Sequence, residues 1–302
     1  MTDFSGVVDE LYNPRNLLYT GAYQQVINAL NSLQITNPSN SIEKDILLYR
    51  AYILQGKAEK VLNDISAGTD SVLLRAVRAL ALCSLNQKEQ GLEGINSLIE
   101  LGSPDISSPT FALLASLVYI SNEANEEAVK LLIPHETNLE CSALLIQTYL
   151  LLNRGDLAKQ ALQQRGRNFD DALLIQLAEA WVKLKTDGSE SAANSAYFIF
   201  DEVARSTSMS TVTLLNSMAV AKLHQGQYPE AKTYLLEALE KDENNPETLA
   251  NLVVHANVTG TGLEDMVEYS VKLETVAPKH PFLVDIREKD SQFDQLAAEL
   301  SG

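Results

Sequence analysis

Cysteine, tryptophan and histidine are scarce in this chain of 302 residues, which holds two, one and four of them. Cys83 and Cys141 form no Cys-x-x-Cys pair. Two thiols in a chain of this length read as small buried hydrophobes of a reducing compartment. The histidines, His135, His224, His255 and His280, are dispersed and share no metal-ligand spacing. The sequence has no phosphate-cradling glycine loop and no Gly-x-Ser-x-Gly elbow, and Gly260-Thr-Gly262 alone reads as a turn. His135 and Cys141 are near in sequence, but a reactive thiol needs a base beside it in space. The expectation is a protein that is not an enzyme, with no catalytic residue, cofactor or metal.

Positive charge is also in short supply. Lys and Arg number 23 against 40 Asp and Glu, a formal charge of −17. Such a surface repels phosphate backbones and anionic lipid alike, which argues against nucleic-acid binding and against direct docking on a membrane. Long apolar runs are missing too. The two longest, Phe111–Ile120 and Ala143–Leu152, are too short to cross a bilayer. Met1–Gly6 has neither the basic nor the apolar region of a secretory leader. Asn257-Val-Thr259 is then read as a chance sequon, and Glu299–Gly302 carries no lipidation motif. A soluble cytoplasmic protein is expected. Aromatics make up only 6% while Leu and Ala abound, a mixture that favours helices over sheets.

What the chain does have is a local pattern written more than once. Gly21–Leu30 reads GAYQQVINAL, and Gly226–Leu239 reads GQYPEAKTYLLEAL. Residues 212–245 match a tetratricopeptide unit of helical-hairpin type. Leu215, Met218 and Ala219 sit in its first helix, and Gly226 and Tyr228 in the turn. Ala231, Leu235 and Ala238 sit in its second helix, and only Lys222 departs from the pattern. The small residue of the close helix crossing is assigned to Val26, Val61, Leu92, Ala128, Ala158, Ala196, Ala231 and Met266, at intervals averaging about 34 residues. The units around Leu92 and Ala196 are degenerate. In the latter, Leu174–Leu184 reads as one helix containing Trp181, followed by the polar loop Lys185–Glu190 and a helix over Ala193–Val203. Turn clusters fall at Asn37–Asn40, Gly102–Pro104, Arg165–Arg167, Asp187–Ser189, Glu243–Pro246 and Thr259–Gly262. Pro281 opens a last amphipathic helix to about Leu300, read as a terminal cap. The fold class is therefore all-α: one tetratricopeptide-like helical-hairpin solenoid over 1–302, about eight repeats over 8–280 and a capping helix over 281–300.

In such arrays certain first-helix positions line a concave groove instead of packing repeat on repeat. Here they fall on Ile46, Arg50, Ile53, Leu113, Leu117, Ile120, Ala143, Gln147, Leu150, Asn216, Val220, Leu223, Ala250 and Val254. Most are apolar. An open groove of this character calls for a largely permanent protein partner, although packing between degenerate repeats would bury the same residues internally.

Several segments together resemble one family, the epsilon subunits of coatomer. They are Val8–Tyr12 with Gly21–Gln25, Leu47–Tyr52, Leu139–Ser142, Leu177–Val182, Ala196–Phe200, His224–Tyr228, Asn245–Leu252, Pro281–Leu283 and Phe293–Leu296. The resemblance is ordered and runs from residue 8 to about residue 297. It implies a curved helical solenoid without enzymatic activity, a structural subunit of the COPI coat that binds the C-terminal domain of alpha-COP in its groove. It also implies a role in Golgi-to-ER and intra-Golgi transport, with membrane association only through the rest of the coat. The alternative is a cytosolic tetratricopeptide adaptor that captures a peptide segment, but that mode needs clustered Lys and Arg to clamp a carboxylate. Arg50 stands nearly alone among the groove positions.

Overall fold

Helices begin in this chain where a short polar side chain can receive the first free backbone N–H groups. Ser71, Ser108, Asn138, Thr211 and Asn245 each accept a hydrogen bond from the backbone N–H three residues on. Each opens the first helix of a hairpin. The turn to the second helix is built differently. Gly21, Gly56, Asn86, Glu123, Asn153 and Gly226 all have positive φ, between 56° and 82°. In each case the next residue donates its N–H to a carbonyl five residues back, as Lys57 does to Tyr52 (2.8 Å) and Gln227 to Lys222 (3.0 Å). A side-chain cap followed by a left-handed turn is the recurring local grammar.

The computed structural model describes residues 9–37, 40–169, 172–207, 210–260 and 262–301. Val8, Pro38, Ser39 and Thr261, which belong to motifs or turns read from the sequence, lie outside them. The described residues form seventeen α-helices and two 3-10 turns, with no strand among them. Contacts divide them into two compact units, Met1–Asp187 and Gly188–Gly302, and the boundary falls in the predicted polar loop Lys185–Glu190.

Unit 1 contains five hairpins, given as pairs of helices. These are α1 (Tyr12–Tyr19) with α2 (Tyr23–Ser32), α3 (Asn40–Leu54) with α4 (Ala58–Asp64), and α5 (Val72–Ser84) with α6 (Lys88–Leu101). Then come α7 (Pro109–Ser121) with α8 (Asn125–Leu132), and α9 (Leu139–Leu151) with α10 (Gly155–Phe169). Helix α11 (Leu173–Thr186) follows. Its core has one large cluster around Ile53, Val77, Ile95 and Phe111, and a second around Leu113, Leu132 and Leu145. A third joins Ile146, Ala158, Ala178 and Val182, with Trp181 packed against it. Unit 2 contains α12 (Glu190–Thr207), the hairpins α13 (Val212–His224) with α14 (Tyr228–Lys241) and α15 (Pro246–Thr259) with α16 (Leu263–Val276), and the last helix α17 (Pro281–Ser301). Its core gathers Ala219, Leu235, Leu252, Leu249, Leu273 and Leu283.

Three local expectations change. The close crossing of the third hairpin belongs to Gly91 and not to Leu92. Gly91 is the fourth residue of α6, as Ala231 is of α14. A Cβ on Gly91 would lie 2.4 Å from Cys83 Sγ and 2.7 Å from the Ala79 carbonyl oxygen, so only glycine lets the two helices meet there. In α12 the fourth residue is Ala193, buried like Ala196 one turn later. The Arg165–Arg167 cluster makes no turn either, because α10 continues through it to Phe169.

The departure at Lys222 has a structural reason. This lysine is buried in α13, where Nζ meets Gln227 Oε1 at 2.5 Å and Glu230 Oε2 at 2.7 Å, and lies 4.1 Å from the centre of the Tyr197 ring. Two oxygens and an aromatic face replace the water it gave up.

Candidate partner-binding site

Inner faces of the first helices meet closely within unit 1. Helix α1 touches α11, and α3 reaches α9 through an ion pair spanning 90 residues of sequence. Arg50 Nη1 lies 2.9 Å and 3.0 Å from the two carboxylate oxygens of Glu140, with side-chain exposures of 13% and 19%. A hollow of about 320 Å³ opens beside this pair, between residues of α1, α3, α7 and α9. Its rim carries a second set of charges. Arg15 bridges Asp9 (2.7 Å) and Glu43 (2.6 Å). Tyr19 Oη is buried at the wall, close to the Glu140 carboxylate. Burial, and then the nearby Glu140 carboxylate, push its ionisation well above the ordinary tyrosine range. The hollow is thus lined by charges that satisfy one another, and its polar character was not expected from the apolar positions read in the sequence.

The fourteen predicted groove positions divide by exposure. Ile46, Ile53, Leu113, Ala143, Leu150, Asn216 and Ala250 are buried within the chain itself. Ile46 and Ile53 belong to the large cluster of unit 1, Leu113 to the second and Leu150 to the third. Ala250 packs with Leu249, Leu273 and Leu283 in unit 2. Arg50, Leu117, Ile120, Val220, Leu223 and Val254 are half-buried, and Gln147 is exposed. Asn216 spends its amide within unit 2. It donates to Thr248 Oγ1 (2.8 Å) and to the Val212 carbonyl (3.0 Å), and accepts from Asn251 Nδ2 (3.0 Å). This ladder holds α13 and α15 in one register. Within unit 1, the structure brings Ile46 and Arg50 to the hollow. Sequence reasoning missed Glu140, Arg15 and Tyr19. Glu140 lay inside the Leu139–Ser142 family segment, whereas Arg15 and Tyr19 carried no signal.

Cys141, His255 and His280 occupy structural places. Cys141 Sγ lies 3.3 Å from the Pro109 carbonyl oxygen. Burial and the Glu140 charge push its thiol up to about 12, so it stays protonated and inert at neutral pH. His255 Nε2 is 3.0 Å from the Tyr228 carbonyl, and His280 Nε2 is 3.2 Å from Glu247 Oε1. No three His, Cys, Asp or Glu side chains gather as a metal site among the described residues. No helix among them is long and apolar enough to cross a membrane.

With this geometry in hand, comparison with known proteins is decisive. The family model described as "Coatomer epsilon subunit" matches residues 7–301. The chain belongs to the coatomer epsilon subunit family. It is 34% identical over 291 residues to coatomer subunit epsilon-1 of Arabidopsis thaliana, covering 95% of this chain and 96% of that relative. It is 30% identical over 296 residues to coatomer subunit epsilon of Caenorhabditis elegans, covering 97% and 99%. Family membership makes it a subunit of the COPI coat, at work within the coatomer complex. Among solved structures it is similar to a tetratricopeptide repeat protein from Parabacteroides merdae, with a TM-score of 0.58, 12% identity and coverage of 87% and 96%. It is also similar to the Cut9–Hcn1 hetero-tetramer of the APC/C, with a TM-score of 0.64, 11% identity and coverage of 91% and 54%. At these identities the likeness shows the fold alone, a tetratricopeptide-type stack of helical hairpins.

Proposed function

We propose that the chain is a non-catalytic scaffold of the COPI coat that binds and stabilises the C-terminal domain of alpha-COP through the inner faces of its first helices, its two units serving as one domain. In this role it supports Golgi-to-ER and intra-Golgi transport and reaches Golgi membranes and COPI vesicles only through the rest of the coat. The observation that carries the reading is family membership over nearly the whole length. The first helices of each unit are consistent with it: in unit 1 Leu117 and Ile120 keep part of their apolar area open and Gln147 is exposed, and in unit 2 Val220, Leu223 and Val254 are likewise part-open. Arg50 and Arg15 are each already matched by carboxylates. A clamp for a free peptide carboxylate needs unpaired cations, so the adaptor reading is weaker.

Co-expression with the C-terminal domain of alpha-COP, followed by size-exclusion chromatography, tests the proposal. A stable one-to-one complex is expected. Two separate peaks would overturn it and bring the peptide-adaptor reading forward. Leu150 is a poor site for a disrupting charge, because it packs against the core formed with α10 and α11. Gln147→Arg, on an exposed position of the same helix, probes the face without opening the core.

A further inference from the structure

The last helix carries an apolar row that its own hairpins do not cover. α17 has 21 residues, a rod on the order of 30 Å. It is held near its start. Leu283 is buried among Leu249, Ala250 and Leu273, Phe282 packs beside it, and Arg287 reaches the Pro278 carbonyl (3.0 Å) and Glu274 (3.6 Å). From Val284 to Leu300 every residue but Ala297 is exposed. Steps of one heptad align Ile286, Phe293 and Leu300, and Leu296 lies beside them on the same face. Phe293 is 72% exposed, Leu296 58% and Leu300 88%. Lys289 interrupts the row between Ile286 and Phe293; single apolar residues in water are ordinary, but the adjoining Phe293, Leu296 and Leu300 along one helix face mark an interaction surface.

The borders of the row say what fits it. Asp285 and Glu299 flank one side, and Asp290 and Asp294 the other. The two cations of the helix are engaged: Lys289 pairs with Asp285, and Arg287 is tied to Pro278 and Glu274. Asp285 is thus matched by Lys289, and a second copy of α17 would set the other three acids, Asp290, Asp294 and Glu299, against one another with no free cation to relieve them. Anionic lipid and phosphate backbones are repelled by the same three carboxylates. The complement is a helix whose apolar row is bordered by Lys or Arg.

We propose that α17 is a docking helix for an amphipathic helical segment of another protein, with an apolar row on Phe293, Leu296 and Leu300, continued to Ile286 beyond Lys289, and basic side chains against Asp290, Asp294 and Glu299. This surface goes beyond the alpha-COP reading, and its test does not depend on that reading. The probe is a synthetic helical peptide of about three heptads with Leu at both core positions and Lys on both borders. Two controls accompany it, the same peptide with Glu borders and a scrambled peptide of the same composition as the Lys form. Binding to the full chain is measured by isothermal titration. The Lys-bordered peptide binds, more weakly as salt rises, and its affinity falls by roughly tenfold or more in the exposed double variant Phe293→Glu, Leu296→Glu. Circular dichroism verifies that the variant keeps its helices. The controls do not bind. Failure of the Lys-bordered peptide to bind, equal binding of the scrambled peptide, or undiminished binding to the variant overturns the proposal. So does a native chain that sediments as a dimer and is made monomeric by the double variant, because the occupant is then a second copy.

Discussion

Glu123 holds a left-handed backbone conformation, φ 63°, at a hairpin turn where Gly21, Gly56 and Gly226 stand in other hairpins. A side chain bearing a Cβ costs about 1–2 kcal/mol in this region relative to right-handed backbone. Asn86 and Asn153 meet the same demand with a residue type that tolerates it. The Glu123 side chain is exposed, so little packing is lost with it. Glu123→Gly should therefore stabilise the protein, by roughly 0.5–1 kcal/mol once the extra freedom of the unfolded glycine is counted. A higher urea midpoint at unchanged slope is the expected result. A lower midpoint would show that the glutamate contributes a contact that outweighs the strain. Lys222 illustrates the opposite case, a local departure from the repeat pattern offset by Gln227, Glu230 and Tyr197 around it.

At the level of the hairpin, the crossing between α5 and α6 sets a sharp contrast between two neighbouring glycines. Gly91 faces Cys83 Sγ and the Ala79 carbonyl at distances that admit no Cβ, whereas a Cβ on Gly94 would meet Ala79 Cβ at an ordinary 3.6 Å. Gly91→Ala should cost about 1–3 kcal/mol, because a backbone oxygen cannot step aside. Gly94→Ala should stabilise by up to about 1 kcal/mol through helix propensity. Thermal melts of the two variants check both signs, and a shift in the same direction would refute the assigned crossing. This crossing also shows what could be read in advance. Wherever the small residue was alanine in a regular unit, as at Ala128, Ala158 and Ala231, spacing located it. Beside Gly91 the apolar Leu92 drew the register by one residue, since periodicity rewards side chains and a glycine has none. The helix through Arg165–Arg167 was hidden for a related reason, as a lone glycine between arginines looks like a break while helical hydrogen bonding continues through it. The charged lining of the unit 1 hollow was illegible because its pairs join residues as far apart as Arg50 and Glu140, and no local pattern reports such a meeting. The groove positions themselves were placed by repeat arithmetic, which ranks positions by helix face and is blind to how closely neighbouring first helices approach.

Over the whole chain, an excess of acids (net −17) surrounds interiors built from Leu, Ala, Ile and Val in two separate compact units. Stacked hairpins draw stability mainly from their nearest neighbours. Damage at one crossing should accordingly stay local. Ala231 is fully buried at the α13–α14 crossing, and Ala231→Phe should destabilise unit 2 by about 1–3 kcal/mol. The means of seeing this lies in Trp181, the sole indole of the chain, packed against the α9–α11 cluster. Its emission reports on unit 1, while ellipticity sums the helices of both. In Ala231→Phe the ellipticity should begin to fall at lower denaturant while the emission midpoint holds, and a joint shift would mean one cooperative block. Unit 2 is dark at the red edge of protein absorption, so this chain comes with a built-in optical label that distinguishes its halves without any added dye.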